Sequence, residues 1–193
     1  MTRIIAGAAG GRRILVPPKG TRPTSDRVRE ALFSALQADP GLDGAAVLDL
    51  CAGSGALGLE ALSRGAVHAL FVESDRRAAA VLRRNTAALG FAAGAEVRVA
   101  PAGTVLGAPA ERAYDLVLVD PPYDVPAAEV AGWLAAAAAH GWLADGATVV
   151  VERAGRDGPF PWPPVLRAAR ERRYGDTTLH TAVLAPEEVA SRP

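Results

Sequence analysis

The sequence predicts a single α/β domain built on a mostly parallel β-sheet. From Ala45 onward, short apolar runs typical of strands alternate with stretches of helical periodicity, which is the pattern of a parallel sheet. These runs are continuously apolar, as expected for strands that are buried on both faces. Two extended runs joined at Gly175 and Asp176 close the chain and favour an antiparallel hairpin. A length of 193 residues suits one such domain with a small addition.

The element boundaries follow from apolar runs and capping residues. Thr24 or Ser25 can cap a first helix, and Asp75 can cap a later long helix that ends at Gly90. Two further helices are predicted at Leu57–Ser63 and Pro126–Ala139. The predicted parallel strands are residues 47–50, 69–72, 96–100, 115–119 and 147–151, and the final pair is 165–173 and 177–184.

The N-terminal segment is predicted to form a β-hairpin that precedes the main domain. Two β-prone runs, Thr2–Ala6 and Arg12–Val16, bracket a glycine-rich turn, and this pattern is typical of paired strands. We assign residues 1–20 to this extension and residues 21–193 to the main domain. A two-stranded arm has little core of its own, so arginines on it are candidates for phosphate contacts.

The charged residues balance overall but are unevenly distributed. The chain has 21 Lys and Arg against 21 Asp and Glu, so its zero net charge does not indicate a polyanionic partner. Both ends are nevertheless locally basic, and a basic patch is the usual footprint of phosphate binding. The basic residues are Arg3, Arg12, Arg13, Lys19, Arg22, Arg27 and Arg29 near the start, and Arg167, Arg170, Arg172 and Arg173 near the end.

Cysteine content and hydropathy predict a cytoplasmic protein. Cys51 is the only cysteine, which excludes an internal disulfide and fits a reducing compartment. Met1–Ile5 lacks the apolar run of a secretory signal, and the longest apolar stretch, near Trp133, is too short to span a bilayer. We therefore expect no membrane partner. The three histidines are scattered without ligand spacing, so we also expect no bound metal.

A glycine-rich loop indicates a nucleotide-like cofactor. Gly53, Gly55 and Gly58 follow a predicted strand and open a predicted helix, and they match the dinucleotide-binding fingerprint. Glu73 ends the next strand, about 20 residues further on, where an acid binds ribose hydroxyls in such folds. The fingerprint fits a nicotinamide dinucleotide or S-adenosylmethionine. Asp49, at the strand tip before the glycines, suits the α-amino group of S-adenosylmethionine.

The segment Asp120-Pro121-Pro122-Tyr123 points to methylation of an amino group on a nucleic-acid base. It follows a buried strand, so it lies at the same sheet edge as the glycine loop. A base amine is a poor nucleophile because its lone pair is delocalised into the ring. A carboxylate and a backbone carbonyl that accept its N–H hydrogens free that lone pair, and an aromatic ring stacks on the base. Asp120, the Pro121 carbonyl and Tyr123 supply these three groups.

Four stretches of the chain carry a resemblance to a known family. They are Arg3-Ile-Ile-Ala-Gly with Gly11-Arg-Arg-Ile, Thr21-Arg-Pro-Thr-Ser-Asp-Arg-Val-Arg-Glu30, Leu48–Gly65 and Asp120-Pro-Pro-Tyr123. Together with Phe71–Asp75 and Asn85, they resemble the RsmD family, bacterial guanine-N2 methyltransferases of 16S ribosomal RNA. The glycine loop and Asp-Pro-Pro-Tyr are shared by many amino-methyltransferases, whereas the other two stretches are more particular to this family.

The resemblance implies a Rossmann-like class I S-adenosylmethionine-dependent methyltransferase with a seven-stranded sheet and an N-terminal hairpin that helps hold RNA. Its cofactor is S-adenosylmethionine, and its partner is 16S ribosomal RNA or the small-subunit particle. We expect catalytic roles for Asp120, Pro121, Pro122 and Tyr123, and cofactor contacts from Asp49, Ala52, Gly53, Ser54, Gly55, Glu73 and Ser74. We expect RNA contacts from Arg3, Arg12, Arg13, Arg22, Arg27 and Arg29.

Three alternatives fit part of the same pattern. A DNA adenine-N6 or cytosine-N4 methyltransferase shares Asp-Pro-Pro-Tyr, although such enzymes usually carry a recognition domain for which this chain has no room. A nicotinamide-dependent oxidoreductase explains the glycines but leaves Asp120 and Tyr123 without a role. A non-catalytic RNA-binding module would keep the fold alone. One departure from the family is Val99–Gly103, where many relatives carry an acid that contacts the cofactor adenine.

Overall fold

Across the residues that the structure describes, 2–17 and 25–185, seven strands form one sheet with helices on both faces. The structure is a computed structural model. In chain order its elements are β1 (Thr2–Arg3), β2 (Arg13–Ile14), α1 (Asp26–Ala38), β3 (Ala46–Leu50), α2 (Ala56–Ser63), β4 (His68–Glu73), α3 (Arg76–Leu89), β5 (Ala95–Val99), α4 (Ala102–Leu106), β6 (Tyr114–Val119), α5 (Ala127–Ala139), β7 (Leu143–Ala154), β8 (Leu166–Tyr174) and β9 (Thr177–Leu184).

The strand order across the sheet is β5-β4-β3-β6-β7-β9-β8. The first five strands pair in parallel, and β9 runs antiparallel to both β7 and β8. This confirms the predicted mostly parallel sheet with an antiparallel C-terminal pair. From β3 the chain continues first toward β5 and then returns to β6 on the other side. The boundary between β3 and β6 is therefore the topological switch point of the sheet.

The central strands are apolar throughout because they pack against helices on both faces. Val47 and Phe71 belong to a core shared with α1, α2 and α3, whereas Leu48 and Leu70 belong to a second core shared with α4 and α5. Neighbouring residues of one strand thus serve opposite faces, as the two-residue repeat of a strand requires. All four side chains are completely buried.

Local capping chemistry sets the helix ends that the sequence predicted. Ser25 accepts a hydrogen bond from the Val28 backbone N–H at 3.3 Å, and Asp75 accepts two from the start of α3. Those two N–H donors lower the pKa of the exposed Asp75 carboxyl. Gly90 ends α3 with φ of 83°, the left-handed conformation that glycine adopts without strain. None of the helices in the described ranges has both the length and the apolar character to cross a bilayer.

Most predicted boundaries of the main domain agree within a residue or two, and the larger differences are the length of β7 and the presence of α4. Strand β7 runs from Leu143 to Ala154 instead of 147–151, because Leu143 pairs with Tyr114 of β6 and the pairing with β9 continues to Ala154. Helix α4 was not predicted, since five residues are too short to show helical periodicity.

The predicted N-terminal hairpin is present, but its paired strands are only two residues long each. It is held to the main domain by Glu60 of α2, whose carboxylate accepts hydrogen bonds from the backbone N–H groups of Ile5 (2.7 Å) and Ala6 (3.1 Å). Glu60 also pairs with Arg64 Nε at 2.7 Å. The predicted boundary at residue 20 lies outside the described residues, so the division at that point stays a prediction.

We expect Glu60→Ala to loosen the hairpin at Ile5 and Ala6 and to lower the free energy of unfolding by about 3 kcal/mol, because a completely buried carboxylate with a buried partner is lost. Urea unfolding gives the stability, and hydrogen exchange at the Ile5 and Ala6 amides reports the local contact. Glu30→Ala, at an exposed position of α1, is the matched control and should change neither quantity. Unaltered exchange at Ile5 and Ala6 in Glu60→Ala would contradict this role.

Candidate active site

A cavity of about 440 Å³ lies at the carboxyl ends of β3, β4 and β6, at the topological switch point. Open α/β sheets bind their ligands at this position. Its walls come from the glycine loop after β3, the end of β4, the segment after β5 and the segment after β6. The predicted cofactor residues that line it are Asp49, Ala52, Gly53, Ser54, Glu73 and Ser74. Gly55 instead caps the start of α2.

The glycine loop is tied to the end of β4 by Glu73. Gly53 has a φ of 55°, in the left-handed region, and its backbone N–H donates to Glu73 Oε2 at 2.7 Å. The other carboxylate oxygen, Oε1, accepts from the Asp75 backbone N–H at 2.8 Å. A carboxylate oxygen has more than one lone pair, so both oxygens can still accept a hydrogen bond from a ribose hydroxyl.

Asp49 is buried with half of its carboxylate unused. Its Oδ2 accepts a hydrogen bond from the Gly58 backbone N–H at 2.9 Å. Its Oδ1 is also buried and has no hydrogen-bond partner among the described residues. Burial raises the pKa of this carboxyl to about 7, the Gly58 hydrogen bond opposes that rise, and the nearby Glu73 charge adds to it. A buried carboxylate oxygen without a partner at the cavity wall fits a cationic amino group.

The cavity is strongly acidic. Four carboxylates line it, from Asp49, Glu73, Asp75 and Asp120, and no Arg, Lys or His does so among the described residues. This charge pattern suits a ligand that carries an ammonium and a sulfonium, and it repels the pyrophosphate of a nicotinamide dinucleotide. The oxidoreductase alternative is therefore not supported by the site. Along the described chain, no group of three or more His, Cys, Asp or Glu side chains is arranged to hold a metal ion.

Cys51, at the end of β3, is partly buried and lies at the cavity wall. Burial raises the pKa of its thiol to about 12, and the charges of Glu73, Asp120 and Asp49 add to the rise. The thiol therefore stays protonated at neutral pH and is not a nucleophile. The Cys51 backbone φ of 60° lies in the left-handed region, at the start of the glycine loop.

The Asp-Pro-Pro-Tyr segment reaches the same cavity from β6. The Asp120 backbone N–H donates to Leu50 O at 3.4 Å, which ties the end of β6 to the end of β3. Asp120 and Pro122 line the cavity, whereas Pro121 is buried. Tyr123 is 47% exposed and does not line the cavity, so its ring is on the protein surface next to it.

Several cavity residues were not anticipated from the sequence. Trp133 of α5 lines the cavity and packs on Gly103, where a Cβ would lie 3.0 Å from the indole Nε1. Pro101 lies at the centre of the acid-free stretch after β5, and it too lines the cavity. The alanine-rich sequence of α5 does not predict that its one tryptophan lines a cavity formed by loops from other parts of the chain.

Asn85 of α3 joins the hairpin to the glycine loop. Its Oδ1 accepts from the Leu15 backbone N–H, and its Nδ2 donates to Leu15 O and Ser54 O, each at 2.9 Å. The next two residues along the chain, Val16 and Pro17, line the cavity. The segment that leaves the hairpin therefore forms part of the cavity wall. The resemblance included Asn85, but the sequence did not indicate this contact.

The predicted RNA contact of Arg29 is wrong for the protein as folded. Its side chain is completely buried, so it presents no charge to a partner. It donates to Arg3 O at 2.8 Å and pairs with Asp26 at 2.6 Å. Its position on the apolar face of α1 explains the error, because an arginine in a basic run was read as exposed. Arg29 instead anchors α1 to the hairpin.

The other predicted RNA residues differ in their surroundings. The Arg12 guanidinium donates to Leu89 O at 3.3 Å and to Ala88 O, so it caps the last carbonyls of α3. Arg13 and Arg27 are exposed, with no ion pair to the described residues. Arg3 is exposed and pairs with Asp26 at 3.3 Å, and Arg22 lies outside the described residues.

Known proteins match almost the whole chain. A family model described as conserved hypothetical protein 95 matches residues 2–183. Ribosomal RNA small subunit methyltransferase D of Escherichia coli strain K12 is 43% identical over 177 residues, which are 90% of this chain and 85% of that protein. The protein of the same name from Haemophilus influenzae is 36% identical over 176 residues, or 90% and 89% of the two chains.

The chain belongs to this family of methyltransferases. The match confirms the resemblance to the RsmD family that the motifs indicated. A solved structure of the Escherichia coli protein yhhF has a TM-score of 0.85 at 37% identity and covers 96% of this chain and 99% of its own. An RNA methyltransferase from Salinibacter ruber, in complex with S-adenosyl-L-homocysteine, has a TM-score of 0.64 at 19% identity, covers 89% and 98%, and shares the fold alone. The class I fold of this RsmD-family chain is thereby confirmed.

We expect cofactor affinity to rise with pH, because a cationic amine binds the ionised form of Asp49. With a pKa of about 7, Asp49 is mostly protonated at pH 6 and mostly ionised at pH 7.5. The dissociation constant of S-adenosylmethionine should fall roughly eightfold over this range, measured by titration calorimetry.

Two variants give this prediction its controls. Asp49→Asn should bind the cofactor more weakly and with no pH dependence, since the titrating group is gone. Asp124→Asn changes an exposed carboxylate that does not line the cavity, so it should keep the wild-type profile. A flat wild-type profile would show that Asp49 does not receive the amine.

Proposed function

We propose that this protein methylates the exocyclic N2 amino group of a guanine in 16S ribosomal RNA, with the small ribosomal subunit or its RNA as the cytoplasmic substrate. S-adenosylmethionine is the methyl donor. The observation that carries the proposal is the acidic cavity that meets the Asp-Pro-Pro-Tyr segment at one sheet edge. The relatives named as small-subunit ribosomal RNA methyltransferases support the choice of substrate.

The cofactor end of the site is provided by the residues after β3 and β4. Asp49 Oδ1 accepts from the amino group, Glu73 accepts from the ribose hydroxyls, and the glycine loop lets the ligand approach the backbone closely. The stretch Ala100–Ala102 contributes no acid, so contacts to the adenine fall to its backbone and to Trp133. When bound, S-adenosylmethionine supplies a methyl group that its sulfonium already activates.

The target end of the site is provided by the residues after β6. Asp120 and the Pro121 carbonyl accept the two N–H hydrogens of the guanine amine, which leaves the nitrogen lone pair free to form the new N–C bond. Asp120 also provides an acceptor for the proton that the nitrogen then loses. Tyr123, exposed beside the cavity, stacks on the base. Positioning of this kind supplies most of the rate, because the reacting atoms are held in line.

The exposed tyrosine and the open cavity indicate a base that has left its helix. A guanine stacked in duplex RNA cannot place its amine in a cavity at the sheet edge. The hairpin adjoins the cavity wall, since Asn85 contacts both Leu15 and Ser54, and the exposed Arg13 of the hairpin is a candidate for a phosphate contact.

The decisive experiment is transfer of a labelled methyl group to small-subunit particles that lack the modification, followed by digestion and nucleoside analysis. Label in N2-methylguanosine establishes the reaction and the atom together. Label in duplex DNA alone would instead favour a DNA amino-methyltransferase. Tight cofactor binding without any transfer would favour a non-catalytic RNA-binding module.

We expect Asp120→Ala to lower the rate of methyl transfer about a thousandfold while the cofactor dissociation constant changes less than about twofold. Single-turnover transfer and calorimetry measure the two quantities. Asp124→Ala, an exposed carboxylate four residues along the same segment, is the matched control and should transfer normally. Normal turnover of Asp120→Ala is the result that would exclude this mechanism.

A further inference from the structure

A second cavity, of about 230 Å³, lies between α1 and the antiparallel end of the sheet. We call it the α1–β8 groove. Leu32 and Leu36 of α1 and Leu179 and Val183 of β9 form its apolar floor. Its rim on β8 carries Arg170, Arg172 and Tyr174. It shares no lining residue with the cofactor cavity, so it is a separate feature of the surface.

A β-bulge aligns three arginines along this groove. Arg167 pairs with Val183, Arg170 with Thr181 and Arg172 with Leu179, and directly paired residues of antiparallel strands share one face. In a regular strand, Arg167 would face away from Arg170 and Arg172, because side chains alternate. The register shift between Ala168 and Arg170 inserts one residue and brings all three to the groove side.

These three arginines, which we call the arginine row, lack acidic partners among the described residues. All three are exposed, and none forms an ion pair there. Glu171, the acid within β8, faces the opposite side and contacts His180 at 3.2 Å. Asp39 is the one carboxylate that lines the groove in the described ranges. The row is therefore a solvent-exposed positive surface rather than part of an internal ion-pair network.

The arginine row leads toward the catalytic edge of the sheet. Tyr174 pairs with Thr177, which also pairs with Ala154 at the carboxyl end of β7, so this end of β8 lies at the edge that carries Asp120. β8 is separated from β6 by β7 and β9, which corresponds to about 14 Å between the strands. A single-stranded RNA segment that delivers a base to Asp120 can reach the row with its neighbouring nucleotides.

We propose that the α1–β8 groove binds a second unstacked nucleotide of the RNA substrate, with its base on the apolar floor and adjacent phosphates on the arginine row. This inference rests on the proposed function. Proteins read single-stranded RNA by seating splayed bases on apolar, aromatic or guanidinium surfaces and by neutralising phosphates with arginine. A second copy of the chain is a poorer occupant of the groove, because the arginines of two β8 edge strands would repel each other.

The test compares two double variants that remove the same charge. R170Q/R172Q changes two members of the arginine row. R83Q/R112Q changes two exposed arginines, one on α3 and one just before β6, and neither lines the groove. Binding to unmodified small-subunit particles is measured across a series of salt concentrations. R170Q/R172Q should bind about tenfold more weakly and lower the slope of log affinity against log salt by about 1.4, whereas R83Q/R112Q should match wild type.

A third variant tests the base position without changing charge. Ala35→Trp fills the groove from α1, and it should weaken binding severalfold with an unchanged salt slope. Ala38→Trp, at an exposed position outside the groove, is its control. Cofactor affinity, measured by calorimetry, should be that of wild type in all variants, because the groove and the cofactor cavity share no residues.

Particle affinity at the wild-type level in either R170Q/R172Q or Ala35→Trp overturns the proposal. Concentration-dependent dimers of wild type that become monomers in both variants overturn it as well, because the groove is then an interface between copies. If wild type methylates the particles while the variants bind normally, the groove proposal fails and the proposed function stands. Wild-type protein that transfers no methyl to RNA overturns the proposed function itself.

Discussion

The parallel pairing of β3 with β4 and β6 is the constraint on which the site depends. It brings the carboxyl ends of three strands to one edge of the sheet. Asp49 and Glu73 lie at the ends of β3 and β4, and Asp120 directly follows β6. Carboxylates gathered in this way repel one another, and the fold offsets that repulsion with backbone N–H donors from Gly58, Gly53 and Asp75. The remaining unfavourable charge is what a cationic ligand relieves on binding.

Asp49 shows how this arrangement links stability to binding. A carboxyl whose pKa is about 7 in the folded chain, against an ordinary value near 3.8, binds a proton more tightly when folded. Its contribution to stability therefore falls as pH rises from about 4 to 7, the reverse of a salt-bridged aspartate. The protein tolerates a destabilising group at the position where the amine is expected. Functional sites often contain such destabilising groups, because an unpaired buried carboxylate lowers the stability of the free protein but strengthens binding of a cationic ligand.

The N-terminal hairpin and the glycine loop are joined to the helices by buried polar side chains. Glu60 holds the chain on one side of the hairpin, and Asn85 holds Leu15 on the other while also binding Ser54. Each of these side chains is buried, so the loss of one contact leaves unsatisfied groups rather than solvated ones. The segment that leaves the hairpin is therefore held against the cavity by the same side chain that binds the glycine loop.

The sequence by itself determined the features that depend on a few neighbouring residues. The glycine loop, the acids at the strand ends, the Ser25 and Asp75 caps and the succession of strands and helices along the chain follow from local chemistry and from the rule that parallel strands share an edge. Tertiary structure alone decided the burial of Arg29, the place of Trp133 in the cavity and the alignment of the arginine row. These depend on register and packing between segments far apart in the chain, where a shift of one residue moves a side chain to the opposite face.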